Sequence, residues 1–186
     1  RATGTLTLVS LDFTRPESLP AWNPVARMDG VAPSRQVDLL VTVLKRLYRG
    51  ETVASWSWGV KTEELMRVSL RALIESAMPL TLLDLERFLT GEEFRLDVLQ
   101  TAGPEVQAYF RDRFGAREEM YVSAVLNKLA PLLDAPAVRA FLGRTEGTFD
   151  LLGVIDRRTA VVVNLARGSL GAAADVLGRL LTSALL

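Results

Sequence analysis

The run Leu6-Thr7-Leu8-Val9-Ser10-Leu11-Asp12 is an apolar strand pattern that ends on an acid, the form in which nucleotide-hydrolysing sites present a magnesium-positioning aspartate. Such chemistry needs apolar packing behind the strand and a carboxylate free to hold a hydrated cation. No second acid follows. Phe13-Thr14-Arg15-Pro16 comes next, which favours an aspartate that caps the turn after its strand. A second candidate, Arg167-Gly168-Ser169-Leu170-Gly171, stands between a strand-like and a helix-like segment, where glycines can let backbone donors approach an anion. A Walker A loop would need Gly-Lys followed by Ser or Thr, and the chain has no Gly-Lys pair, so a tight strand-to-helix turn is the plainer reading.

The pairs Glu63/Glu64, Glu92/Glu93 and Glu118/Glu119 have the residue types of a two-carboxylate hydrolase or a metal site. Each pair falls in or near the first turn of an expected helix, where negative charge complements the helix dipole, and this reading is favoured. Trp22, Trp56 and Trp58 could stack on bases, but no Lys/Arg stripe interleaves with them, so they read as core or interface anchors. Arg139 and Arg144 flank the expected helix end Phe141-Leu142-Gly143 and are the candidate arginine finger, a guanidinium reaching a neighbouring subunit's nucleotide. Arg157-Arg158 precedes the last strand; surface or capping arginines are the default for all four.

Composition narrows the chemistry further. The chain contains neither Cys nor His, which excludes thiol nucleophiles, disulfides, imidazole bases and Cys/His zinc sites within it. Lys plus Arg and Asp plus Glu number 22 each, so no global field attracts nucleic acid or an acidic membrane, and any such contact must be local. No apolar run reaches the roughly 18 residues that a membrane span needs. The expectation is a soluble, cytoplasmic segment with no direct membrane insertion.

The elements that must position these residues follow from periodicity. Thr5 to Phe13 predicts a strand, and the loop after it carries Pro16, Pro20 and Pro24, which cannot donate to a ladder. From Ser34 the spacing of Val37, Leu40, Val41, Leu44, Leu47 and Tyr48 predicts a helix, with Ser34 as N-cap and Gly50 past its end. A second helix is expected from about Thr62 to Met78, stopped by Pro79, with Met66, Leu70, Leu73, Ile74 and Ala77 as its buried stripe. Thr81 and Thr90, the latter with Glu93 in a capping box, open two shorter helices, and Gly103-Pro104 opens another. Met120 to Leu133 is expected to be helical, ending around Pro131, and Pro136 to Leu142 to be a short helix stopped by Gly143. Thr159 to Leu165 is β-branched and apolar, the composition of a buried strand, and leads through a loop into a C-terminal helix.

The order of these segments resembles the FtsK-HerA superfamily of P-loop ATPases, specifically the type IV conjugative DNA-transfer coupling ATPases. Thr5 to Asp12 followed by Trp22-Asn23-Pro24-Val25 resembles the strand and Asn-Pro segment that come after the Walker A helix in that family. Pro79 to Leu89 before Phe94-Arg95 is similar to a segment of their helical lobe, and Val122 to Leu129 to their Asn-Lys-Leu helix. Phe149-Asp150-Leu151 through Asn164-Leu165-Ala166-Arg167-Gly168 is similar to the strand end that precedes their Walker B segment. The resemblance implies a mainly α chain: a helical insertion lobe flanked by two strands of an α/β, RecA-like ATPase core. Residues 1–30 would be a core strand and Pro-rich loop, 31–145 the lobe, and 146–186 a strand-loop-helix returning to the core. Both catalytic motifs would lie outside this stretch, so both ends read as cuts and the segment alone is expected to be inactive, with no catalytic, cofactor-binding or metal-binding residue of its own.

What the resemblance implies for the whole protein is ATP and Mg²⁺ as cofactors and a homo-hexameric assembly with membrane association through other parts. Its partners would be the rest of the ATPase core, DNA and secretion-system proteins. The alternative is a free-standing helical interaction module without ATPase parentage, binding a peptide or protein in a groove between helices. If the lobe is cut from such a core, the strands Thr5 to Leu11 and Thr159 to Leu165 should lie in one small sheet, exposing an edge or face that the rest of the core would cover.

Overall fold

The computed structural model describes residues 7–47, 59–151, 153, 154, 157 and 159–185. The expectations for Thr5, Leu6, Tyr48, Gly50, Trp56, Trp58 and Arg158 therefore lie outside the described residues. The architecture is mainly helical, with two strands, β1 (Leu8–Asp12) and β2 (Ala160–Asn164), among the described residues. They pair in parallel, in a register that sets Leu8 opposite Ala160 and Asp12 opposite Asn164. Parallel neighbours need a long crossover. Here the crossover is the whole helical lobe.

That lobe comprises α1 (Pro33–Leu47), α2 (Val60–Glu75), α3 (Asp84–Thr90), α4 (Glu92–Leu99), α5 (Pro104–Asp112), α6 (Ala116–Leu133) and α7 (Pro136–Leu142). After β2 come a single turn, α8 (Arg167–Leu170), and α9 (Ala172–Leu185). α1 packs between α2 and α9, and α6 packs on α2 and α9. One contiguous core runs from Leu11 on β1 through the lobe to Leu181 on α9. Gly178 lets α9 approach the sheet: a Cβ there would stand 3.2 Å from Leu165 Cδ1.

The predicted stripes are largely the buried ones. Val37, Val41, Leu44 and Leu47 of α1 and Met66, Leu70, Leu73 and Ile74 of α2 are buried. Several ends differ from expectation. α1 starts at Pro33, so Ser34 lies inside it rather than capping it. α2 ends at Glu75, short of Pro79, because Ser76 turns extended and hydroxyls take the released donors: Met78 N donates to Ser76 Oγ and Ala77 N to Thr101 Oγ1. Ala77 is consequently exposed. The Thr90/Glu93 capping box does not form, since Thr90 is the last residue of α3 and its hydroxyl donates back to Glu86 O. Gly91 holds the N-cap position of α4 instead. α6 begins at Ala116 and carries Pro131 within its last turn, where Asp134 N still reaches Ala130 O.

Two aromatic clusters tie the layers together. Phe141 of α7 stands 5.3 Å from Phe13, 6.1 Å from Trp22 and 6.5 Å from Phe149, centroid to centroid, so α7 joins the strand end to both flanking loops. Phe88, Tyr109, Phe110 and Phe114 form the second, between α3 and α5.

Ion pairs cross the helix surfaces. Glu63 of α2 meets Lys45 of α1 at 2.8 Å and Arg67 at 3.1 Å, and Arg67 also reaches Asp38. The hydrogen bond from Lys45, with Arg67 behind it, holds the Glu63 carboxyl below the ordinary carboxylate range despite partial desolvation. A depressed folded-state value contributes stability above the unfolded value, and that stability is lost as pH falls through the folded value. Glu63→Gln is therefore expected to cost about 1 kcal/mol at neutral pH, since two part-buried pairs are lost. The cost should shrink as pH falls through the depressed folded value, where the wild-type carboxyl protonates too. Urea unfolding followed from neutral pH into the acid range measures the difference.

Candidate functional site

The parallel register brings together the two segments singled out in the sequence. Asp12 and Asn164 are partners at the carboxyl ends of β1 and β2, the edge where parallel sheets commonly place ligands. Asn164 Nδ2 donates to Asp12 Oδ1 at 3.0 Å. The same oxygen accepts from Thr14 N at 3.1 Å and Thr14 Oγ1 at 2.7 Å, and Arg15 Nε lies 4.0 Å from Oδ2. The Thr14 hydrogen bonds, with Arg15 and Asn164 adding to them, lower the Asp12 pKa. Asp12 thus caps the turn that follows its strand and clips the two strand ends together.

The segment after β2 closes on itself. Ala166 adopts a left-handed conformation with φ 37°, held by its N–H donating to Asn164 Oδ1 at 3.1 Å. Ala166 O then accepts from Ser169 N, Leu170 N and Ser169 Oγ, which folds residues 166–170 into the single turn of α8. Gly171 at φ 55° permits the break into α9. Arg167 is turned toward α9 and pairs with Asp175 at 2.9 Å. The geometry is that of a tight strand-to-helix turn. At this edge the strand ends and α8 present the Asp12 carboxylate, the Thr14 and Ser169 hydroxyls, amides and guanidinium groups, which can bind or orient a polar ligand.

The candidate arginine-finger residues lie at the end of α7. Arg139 Nη1 donates to Leu133 O at 3.4 Å and Arg144 Nη1 to Leu19 O at 3.3 Å. Both side chains are exposed, and each guanidinium spends one nitrogen on a carbonyl of a neighbouring segment. Arg157 pairs with Asp150 at 3.1 Å.

Among the acidic pairs, Glu63 and Glu64 are more than solvated helix starts. Glu64 meets Lys61 at 2.8 Å and Arg113, just past the end of α5, at 2.6 Å, and its pKa is lowered, chiefly by Lys61. Glu64, Glu105 and Asp112 border one surface hollow, where Arg71, Arg111 and Arg113 pair with them. A hydrolase acid must hold its proton near neutral pH. Glu64 and Asp112 are both shifted the other way, Asp112 by Arg111. Glu92, Glu118 and Glu119 do sit in first helical turns.

Three buried polar residues have structural roles that the sequence pattern did not assign. Asn23 donates through Nδ2 to Leu80 O at 2.9 Å and Thr145 O at 3.2 Å, and accepts from Val25 N at 3.1 Å. Gln36 donates to Pro24 O and Ala26 O and accepts from Met28 N. Together they pin the loop 22–28 to α1 and to the segments before α3 and after α7. Lys128 of α6 is 3% exposed, and burial pushes its ammonium pKa down. The available signal was position: Gln36 lies four residues before Leu40, on the apolar stripe of α1.

With this geometry established, comparison with known proteins finds no match: no protein-family model, no curated protein and no solved structure. Among the described residues no helix is long and apolar enough to cross a membrane.

Proposed function

We propose that the chain is a docking lobe of a DNA-moving or DNA-binding P-loop ATPase of the FtsK-HerA kind, carried on two neighbouring strands of that enzyme's parallel sheet and not catalytic by itself. The observation that carries this reading is the sheet. A parallel pair is ordinarily covered on both faces and is marginal with two strands alone. Here Val9, Leu11, Val161 and Val163 pack toward the core, while Leu8 and Val162 on the opposite face are 63% and 54% exposed. The strand-end pair Asp12 and Asn164 would then border the nucleotide edge of a larger core, where ATP and Mg²⁺ bind to residues other than these. Arg139 and Arg144 are the guanidinium groups this reading offers to a neighbouring subunit of a hexamer.

Binding of double- and single-stranded DNA to the chain, measured against salt, tests the local role. DNA docking predicts an affinity whose logarithm falls linearly with the logarithm of salt concentration. If no salt-dependent affinity appears, the DNA arm of the proposal fails and partner-protein docking stands in its place.

A second reading, a free-standing helical interaction module, is favoured by one feature of its own. A groove of about 210 Å³ opens beside Trp22, between the loop 22–28, α1 and the segment 147–150.

A further inference from the structure

The groove beside Trp22 has a composition that fits a particular occupant. Its apolar wall is Trp22, Met28, Leu39 and Phe149, and Arg27 and Asp150 stand on its rim. Leu39 is 38% exposed, whereas Trp22 is 8% exposed. The Trp22 indole N–H has no acceptor among the described residues, although the backbone on either side is well satisfied: Trp22 N donates to Phe141 O and Ala21 N to Thr148 Oγ1.

That nitrogen is not sealed in. The one wholly buried side-chain polar atom without a partner among the described residues is Ser69 Oγ. A second hollow that Trp22 borders is lined by apolar side chains and measures about 10 Å³. A tryptophan buried this deeply usually finds a partner for its N–H, and a ligand seated against Trp22 in the groove can supply one.

Charge and size select the occupant. Asp150 is already paired with Arg157 and accepts from Gly153 N, and Gln36 spends its amide on the loop. Of the two charged residues lining the groove, Arg27 is exposed and has no ion pair among the described residues, so its guanidinium is the lining group open to a carboxylate. Sites for whole cofactors or drug-sized ligands run to about 300–1,000 Å³. At about 210 Å³ this groove falls below that range and suits one bulky side chain entering as an anchor.

We propose that the groove docks an acidic peptide segment of a partner protein. A bulky apolar side chain packs against Trp22, Met28, Leu39 and Phe149, a carbonyl of the segment accepts from the Trp22 indole, and an adjacent carboxylate pairs with Arg27. This rests on the docking role proposed above and specifies its chemistry.

Isotope-labelled chain titrated with blocked hexapeptides tests it, using a phenylalanine-glutamate pair in a glycine-serine frame and its phenylalanine-lysine and glycine-glutamate counterparts. The phenylalanine-glutamate peptide is expected to move the Trp22 indole N–H resonance downfield together with the methyl signals of Met28 and Leu39. The lysine peptide should bind about tenfold more weakly, because like charges then meet at the rim. Arg27→Glu, an exposed substitution, should reverse that preference.

Equal binding of the two phenylalanine peptides would overturn the proposal, as would binding of the glycine-glutamate peptide as tight as that of phenylalanine-glutamate, or no movement of these three signals. Equal affinity for 3-phenylpropionate would make the groove a site for small aromatic acids. Concentration-dependent movement without peptide would make its occupant a second copy. Either result refutes the assignment. DNA or a partner captured while these signals stay still would refute the groove and leave the docking reading standing.

Discussion

Replacing Phe141 with alanine should lower the unfolding free energy by about 3–5 kcal/mol, the range for truncating a fully buried aromatic side chain. Phe141 is 0% exposed, and its ring is the one that touches Phe13, Trp22 and Phe149 alike. These three rings come from the end of β1, the proline-rich loop and the segment after α7, so the cavity opens where two stretches distant in sequence, 13–22 and 141–149, converge. Neither of them can collapse into it independently. The backbone adds to the constraint, because Trp22 N donates to Phe141 O at 2.8 Å and fixes α7 against the loop. Against a typical total of about 5–15 kcal/mol, the loss is a large fraction of the stability. In urea the midpoint should fall sharply while the slope stays unchanged. Phe141→Leu should retain most of the packing and cost less than half as much. A loss below about 1 kcal/mol for the alanine variant would mean that the cluster does not bridge the sheet to the lobe.

The parts of this fold that were legible in the sequence are those set by local pattern. Val37, Val41 and Leu44 mark the buried side of α1 through helical spacing alone, and Pro136 and Gly143 bound α7 as a helix start and stop should. The pairing of the two strands was also readable, because a short apolar strand cannot stay unpaired. Helix ends were less legible where tertiary partners decide them. Ser76 and Thr101 come from different segments, and their hydroxyls end α2 before Pro79 can. Thr90 has a good capping sequence but continues α3, and Gly91 takes the N-cap of α4.

The site divides in the same way. Asp12 and the segment Arg167–Gly171 each carry a local signature, whereas their adjacency depends on the register of two strands far apart in sequence. No local pattern encodes that register. The Trp22 groove was illegible for the same reason: its walls come from the loop 22–28, α1 and the segment after α7. Only the contribution of Gln36, a polar residue on an apolar stripe, leaves a trace in the sequence. The buried amides Asn23 and Gln36 give the groove its rigid side, since Gln36 holds Pro24, Ala26 and Met28 by their backbone and Asn23 holds Val25. A loop so fixed presents Trp22 and Arg27 without the ordering cost of a free segment.

Asn23→Asp, an isosteric change, should cost about 3 kcal/mol or more at neutral pH. The native amide is 7% exposed and donates to two carbonyls, Leu80 O and Thr145 O, while Val25 N occupies its oxygen. A carboxylate has the same shape but no donor, so two acceptor oxygens would face a buried anion where two hydrogen bonds had been. Burial and the facing carbonyls both disfavour ionisation, raising the introduced carboxyl above its unfolded value of about 3.9. Between the unfolded and folded values the native state binds more protons, so stability falls as pH rises. The deficit relative to wild type should therefore shrink from pH ~7.5 toward pH ~4, where a protonated carboxyl can donate to one of the carbonyls. Asn23→Ala supplies the control: it also strands the carbonyls, but its deficit should not change with pH. Unfolding free energies of both variants across that range separate the two cases, and parallel pH profiles would mean that Asn23 is not the donor that ties the loop to Leu80 and Thr145. The Asn-Pro pair is half of the resemblance at the start of the chain, and its asparagine spends both amide hydrogens on two carbonyls in the interior. Its role in this fold is to seat the Trp22 loop, and the strand ends and the groove are positioned relative to that loop.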